Sequence, residues 1–121
     1  MKTCPFCNHP NVILQNDLAY AIHDRYPVTP GHMLIIPKRH CPDYFQTSIE
    51  EKKALCDLLE QCKGYLQAKY KPDGYNVGIN CGKAAGQTIF HVHVHLIPRY
   101  QGDIDNPRGG VRGVIPEKRI Y

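Results

Sequence analysis

Residues 87–99, "QTIFHVHVHLIPR", alternate imidazole and aliphatic side chains: His91, His93 and His95 against Val92, Val94 and Leu96. A period of two is a strand pattern, because successive side chains on a strand point to opposite faces. Three histidines then share one face, and the aliphatic residues share the other. Residues two apart on a strand lie about 6–7 Å apart by rise, so the outer rings can flank the central one. An imidazole buried without a partner is penalised. This face must therefore meet something polar, as a metal cluster or a reactive site.

The rest of the chain reads as a partner for that strand. "NVILQND" and "LAYAIHDRY" are short strands, and "MLIIP" is an uninterrupted apolar strand that Pro37 should end. "TSIEEKKALCDLLEQCKGYLQAKY" is the one clear helix. Its apolar residues Ile49, Leu55, Leu58, Leu59, Cys62, Tyr65, Leu66 and Tyr70 recur at spacings of three and four. Thr47 with Glu50, or Ser48 with Glu51, has capping-box spacing. Gly64 inside this helix implies close packing there. "YNVGIN" is a strand and "CGKAAG" a loop. The expected fold is α+β, in one domain spanning 1–121, with a basic tail at 101–121 that runs over the surface.

At 121 residues the chain can build a single core. A net charge of +4 favours an anionic ligand without the density expected of a duplex-binding protein. No apolar stretch approaches the roughly 20 residues of a membrane span. The N-terminus lacks a secretory apolar run, so a cytoplasmic location is expected. Without a secretory segment, the six cysteines do not point to a disulfide framework. Cys4 and Cys7 stand apart as a Cys-x2-Cys pair, which is half of a structural zinc site. Cys41, Cys56, Cys62 and Cys81 read as buried or idle thiols.

A neutral histidine can attack phosphorus when donors hold the phosphate oxygens. The loop "NCGKAAGQT" offers glycines and the side chains of Asn80, Gln87 and Thr88 for that purpose. The run His91-Val92-His93-Val94-His95-Leu96-Ile97 matches the signature of the histidine triad (HIT) family. "AGQT" and "PGHMLIIPKRH" also resemble family segments in their order and spacing. The resemblance implies a sheet of about five antiparallel strands on one long helix, with sheets joined across a homodimer. It implies binding of a nucleotide with an AMP-like moiety.

Carried over by matching segments, His93 resembles the family's nucleophile, which forms a nucleotidyl intermediate. His95 resembles the phosphate-contacting partner, and His32 the fourth catalytic histidine. Asp24 resembles the ribose-binding carboxylate, with His23 beside it and Ile22 against the base. Asn80, Gly86, Gln87 and Thr88 resemble the residues around the phosphates. Many bacterial members complete a Cys-x2-Cys pair with two histidines, which implies zinc on Cys4, Cys7, His40 and His91, tying a knuckle at 1–10 to the catalytic strand. His9 competes for that place. Three readings stay open: an enzyme cleaving polyphosphate or phosphoramidate linkages through His93, a metallohydrolase with zinc on all three triad histidines, and a nucleotide-binding regulatory module. Arg108, Arg112, Lys118 and Arg119 of the tail either reach further phosphates, or belong to an arm that stays in solvent or contacts the other subunit.

Overall fold

The computed structural model describes residues 4–121. Five strands form one sheet: β1 (Leu14–Gln15), β2 (Ala19–His23), β3 (Met33–Pro37), β4 (Gly74–Ile79) and β5 (Val94–Arg99). Their spatial order is β1-β2-β3-β5-β4, and every pairing is antiparallel. One long helix, α1 (Ile49–Lys69), packs on this sheet. This is the expected α+β arrangement of five strands on one helix. No helix among the described residues is long and apolar enough to cross a membrane.

Two cores explain the apolar pattern. On the helix side, Leu55, Leu58, Cys62 and Leu66 pack against Ala19, Ala21, Met33, Ile35, Val94 and Leu96. On the opposite side, Tyr20, Ile22, Leu34 and Ile36 gather around Phe6. β3 is therefore buried on both faces, which is why "MLIIP" runs without a polar break. It ends at Pro37, as expected.

The helix begins as one of the two spacings predicts. Ser48 and Glu51 form a reciprocal capping box. Thr47 instead donates its hydroxyl to the Tyr44 carbonyl. Arg39 grips Glu51 through two nitrogens at 2.9 Å each, and this guanidinium holds the Glu51 carboxyl down at about 2. That clamp fixes the turn after β3 against the helix, next to His40. Two helix expectations do not hold. Ile49, the first residue of the helix, is 82% exposed. Gly64 faces open space, with nothing near where a Cβ would stand.

Candidate functional site

β5 places the triad, but it starts later than the alternation implies. Only 94–99 are strand, so His91 and His93 lie in a lead-in outside it, with a bend at His91. The lead-in is held from outside the sheet, where the Val92 N–H donates to the Cys41 carbonyl at 2.8 Å. Alternation survives all the same. Val92 and Val94 are buried, and Phe6 sets its ring edge-on against both His91 and His93. The His93 and His95 ring centres are 5.1 Å apart. In the strand register, His95 stands opposite Leu34 of β3 and Gly78 of β4.

Hydrogen-bond partners decide where each ring keeps its proton. His93 Nδ1 lies 3.0 Å from the His91 carbonyl, which can only accept. Nδ1 therefore carries the hydrogen, and Nε2 keeps a free lone pair. Next door, the Val28 N–H donates to His32 Nδ1 at 3.0 Å, so His32 carries its hydrogen on Nε2. That nitrogen donates to His95 Nδ1 at 3.0 Å, with Asp24 Oδ2 at 3.4 Å. His95 must then hold its hydrogen on Nε2. The pair thus offers one nucleophilic nitrogen on His93 and one donor on His95.

Burial keeps His95 neutral. It pushes the imidazole down to about 4, with His93 and His32 adding to the shift and Asp24 opposing it. His32 is lowered chiefly by burial as well, again against Asp24. A folded value of about 4 lies below the unfolded value of about 6.5. The unfolded chain therefore binds more protons between those two values. Stability from His95 is present above pH ~6.5 and is lost as pH falls towards 4. Urea midpoints measured from pH 7 to pH 4.5 should drop more steeply for the wild type than for His95→Gln. Equal slopes would refute this environment for His95.

Two groups of metal-ligating side chains stand near the triad, and their protons separate them. In the first, ligand atoms of Cys4, Cys7, His40 and His91 lie within 4.8 Å of one another. Sulfur-to-nitrogen distances are 3.4 Å (Cys4–His91), 3.2 Å (Cys7–His40) and 3.7 Å (Cys7–His91). A tetrahedral zinc site has sulfur–nitrogen edges of about 3.6 Å from its bond lengths. His91 Nε2 donates to the Pro37 carbonyl at 2.7 Å, which leaves Nδ1 free to ligate. His9 is not in the group, and its Nδ1 accepts from the Asn11 N–H. The residues therefore fit zinc. The second group is Asp24, His32 and His95. Here His32 Nε2 already carries a hydrogen and has no lone pair for a metal. Among the described residues, His91, His93 and His95 do not share one ligand group, which removes the support for a three-histidine metallohydrolase.

The HIT domain family model matches residues 7–102. The chain belongs to the HIT family. A 16.1 kDa HIT-like protein of Mycoplasma pneumoniae is 40% identical over 106 residues, covering 83% of this chain and 74% of that protein. The bis(5'-adenosyl)-triphosphatase of Dictyostelium discoideum is 35% identical over 95 residues, covering 78% of this chain and 64% of that enzyme. A Zn-bound histidine triad family protein from Mycobacterium smegmatis superposes with a TM-score of 0.76 at 35% identity, over 84% of this chain and 78% of that one.

Beside the triad of this HIT protein lies a cavity of about 620 Å³. Asp24, His32, His95 and Asn80 line it. Asp24 divides its oxygens: Oδ1 accepts from the Tyr26 N–H at 2.9 Å, and Oδ2 faces His32. Other expected residues lie elsewhere. His23 points to the opposite face of β2, packed near Tyr65 and Tyr70 of the helix. Strand parity forbids it from joining Asp24. Ile22 is on the right face but is sealed into the core around Phe6. Gln87 is buried and fully occupied: Nε2 donates to the Pro42 and Ile89 carbonyls, and Oε1 accepts from the Gly82 N–H. It staples the 82–89 loop rather than facing the cavity. Gly86 and Thr88 are exposed on that loop.

Sequence reasoning missed part of the cavity wall. Val28 lines it from the β2–β3 turn, and Val111 and Val114 line it from the tail. The alternation of glycine and valine in "GGVRGV" was the available signal. It carries no chemistry of its own, so it read as surface.

Proposed function

We propose that this protein cleaves the α-phosphate linkage of a nucleoside or dinucleoside polyphosphate through a nucleotidyl intermediate on His93. The observation carrying this reading is the free lone pair on His93 Nε2, held by the His91 carbonyl, beside the His95 Nε2–H. His93 Nε2 attacks the α-phosphorus, a P–N bond forms, and the P–O bond to the leaving phosphate breaks. His95 donates to a phosphate oxygen as negative charge builds. Water then cleaves the P–N bond and frees His93. The triphosphatase relative supports a polyphosphate substrate. Offering diadenosine polyphosphate and adenosine phosphoramidate in parallel tests the choice. Faster cleavage of the polyphosphate supports it. A reversed order assigns the protein to purine nucleoside phosphoramidases, and binding without product assigns it to a regulatory module.

Zinc on Cys4, Cys7, His40 and His91 would act outside this chemistry, tying the N-terminal knuckle to the triad lead-in; the Zn-bound relative supports that metal. β1 and β4 are the two edge strands of the sheet, and we assign the free edge of the longer one, β4, to the homodimer.

We assign Asp24 Oδ2 to a ribose hydroxyl, since Asp24 lines the cavity and its other oxygen is taken by the Tyr26 N–H. Losing such a charge-assisted bond costs roughly 1.5–3 kcal/mol, or about ten- to a hundredfold in affinity. Asp24→Ala should weaken ribonucleotide binding by that factor. A 2′-deoxynucleotide should bind the wild type more weakly than its ribose counterpart, with the gap shrinking in Asp24→Ala. Equal binding of both by the wild type would return Asp24 to its other job, capping the turn through Tyr26.

A further inference from the structure

The proton positions at the site hang on a backbone turn. His32 keeps its hydrogen on Nε2 because the Val28 N–H occupies Nδ1 at 3.0 Å. That donor is a main-chain group between β2 and β3, so the tautomer is only as fixed as the turn that carries it. Val28 does not anchor itself, since its side chain is 68% exposed. Pro27 and Pro30 flank it and bring no N–H of their own. At the base of the turn, the Asp24 N–H donates to the His32 carbonyl at 2.9 Å. Two hydroxyls fasten the far side. β3 pairs with β5 only from Met33 to Ile35, opposite Leu96 to Val94. Beyond Leu96 the turn takes over: the Thr29 hydroxyl donates to the carbonyl of buried Pro98. From the other direction, the Tyr100 hydroxyl, just past β5, donates to the Pro30 carbonyl at 2.6 Å. Among the described residues, these are the two hydrogen bonds that join 25–31 to β5 and its exit.

Resting on the reaction read for His93 above, we propose that Thr29 and Tyr100 are positioning residues, whose hydroxyls clasp the β2–β3 turn to the end of β5 and so keep the donor hydrogen on His95 Nε2. They act through two rings. With the Val28 N–H withdrawn, His32 Nδ1 can carry the hydrogen, and His32 Nε2 becomes an acceptor. His95 Nδ1, 3.0 Å away, then faces a lone pair and must donate to it, which takes the hydrogen off His95 Nε2. His95 would turn a lone pair, not a donor, towards the phosphate oxygens. Burial holds both rings below the usual histidine range, so at pH 7 each is neutral and the choice of nitrogen is what varies. Asp24 Oδ2, 3.4 Å from His32 Nε2, favours the present tautomer independently. Loss of the clasp therefore gives a mixture of tautomers rather than a complete switch.

Ring-nitrogen NMR reads the tautomer directly and needs no substrate. Full-length protein labelled with nitrogen-15 at histidine is compared at pH 7 as wild type and as Thr29→Val/Tyr100→Phe, which removes two hydroxyls and little else. In the wild type, His32 and His95 should each show a bare Nδ1 and a protonated Nε2. In the double variant both rings should show mixed character. With diadenosine polyphosphate, its kcat should fall at least about threefold, tracking the lost Nε2–H population, while KM stays within twofold. Thr29→Ser, which keeps a hydroxyl, should retain the wild-type tautomers and kcat. Tyr100→Phe alone removes a surface hydroxyl and should shift the tautomers less but in the same sense, so it decides the matter if the double variant does not fold. Unchanged ring spectra in the variants overturn the clasp, and so does a wild type that is already a mixture. Mixed tautomers with unchanged kcat overturn the positioning role and leave the hydroxyls to the fold. A wild type that turns over no substrate sinks the His93 reaction, and the ring spectra then still decide the clasp.

Discussion

His93→Ala should lose turnover by at least about a thousandfold, as expected when a covalent route is removed, while nucleotide binding survives. Of the three imidazoles His32, His93 and His95, His93 alone keeps a ring nitrogen lone pair that no neighbour occupies once every hydrogen has been assigned. The His91 carbonyl takes its Nδ1 hydrogen, so Nε2 needs no base to be nucleophilic. Asp24, His32 and His95 remain in the variant and still line the binding space. Acid-quenched wild type, mixed with substrate, should carry a nucleotidyl mass on the peptide containing His93, and the variant should carry none. Turnover in the variant above about a tenth of the wild type, judged against the expected loss, excludes the covalent route. A general base acting on water would be the surviving alternative.

What the chain disclosed in advance was set by local rules. β3 and α1 lie close to where composition puts them, because a two-sided strand must be apolar throughout and a capping box marks its own helix. The histidine face followed from a period of two and holds even where the strand itself does not. Contacts far apart in sequence were illegible. Val92 is held by Cys41, His91 by Pro37, and Gln87 by Pro42, so the lead-in and the loop take shapes that no window of neighbouring residues encodes. His23 is a different case. The parity that groups the triad also separates His23 from Asp24, so the sequence itself held the means to place it on the helix side. The tail is illegible for a third reason. Arginines beside glycines read as a solvated arm until their carbonyl partners are known: Arg112 donates to Lys118, and Arg119 to Asn106 and Arg108.

Removing one sulfur from the N-terminal group should cost the protein its metal and much of its thermal resistance, but not its chemistry. Purified wild type should carry about one zinc per chain. The ion would bridge Cys4 and Cys7 of the knuckle to His40 after β3 and to His91 before β5. Loss of that bridge should destabilise by roughly 2–3 kcal/mol, which for a chain of this size lowers the melting temperature by about 10 °C. Cys7→Ser should show both losses. A strong chelator should lower the wild-type melting temperature by a similar amount and leave Cys7→Ser unmoved, because the same contact cannot be lost twice. Single-turnover cleavage below the variant's melting range should stay within a few-fold of the wild type, since the metal would take only the ring Nδ1 of His91, whose backbone carbonyl orients His93 and whose ring is also held by Pro37, and His95 is set by His32. Wild type that is purified without metal and whose melting temperature no chelator shifts would leave the four ligands as a hydrogen-bonded cluster and nothing more. A chelator that stops chemistry at once, without unfolding, would instead put the metal in the reaction and reopen the metallohydrolase that the separate ligand groups argue against.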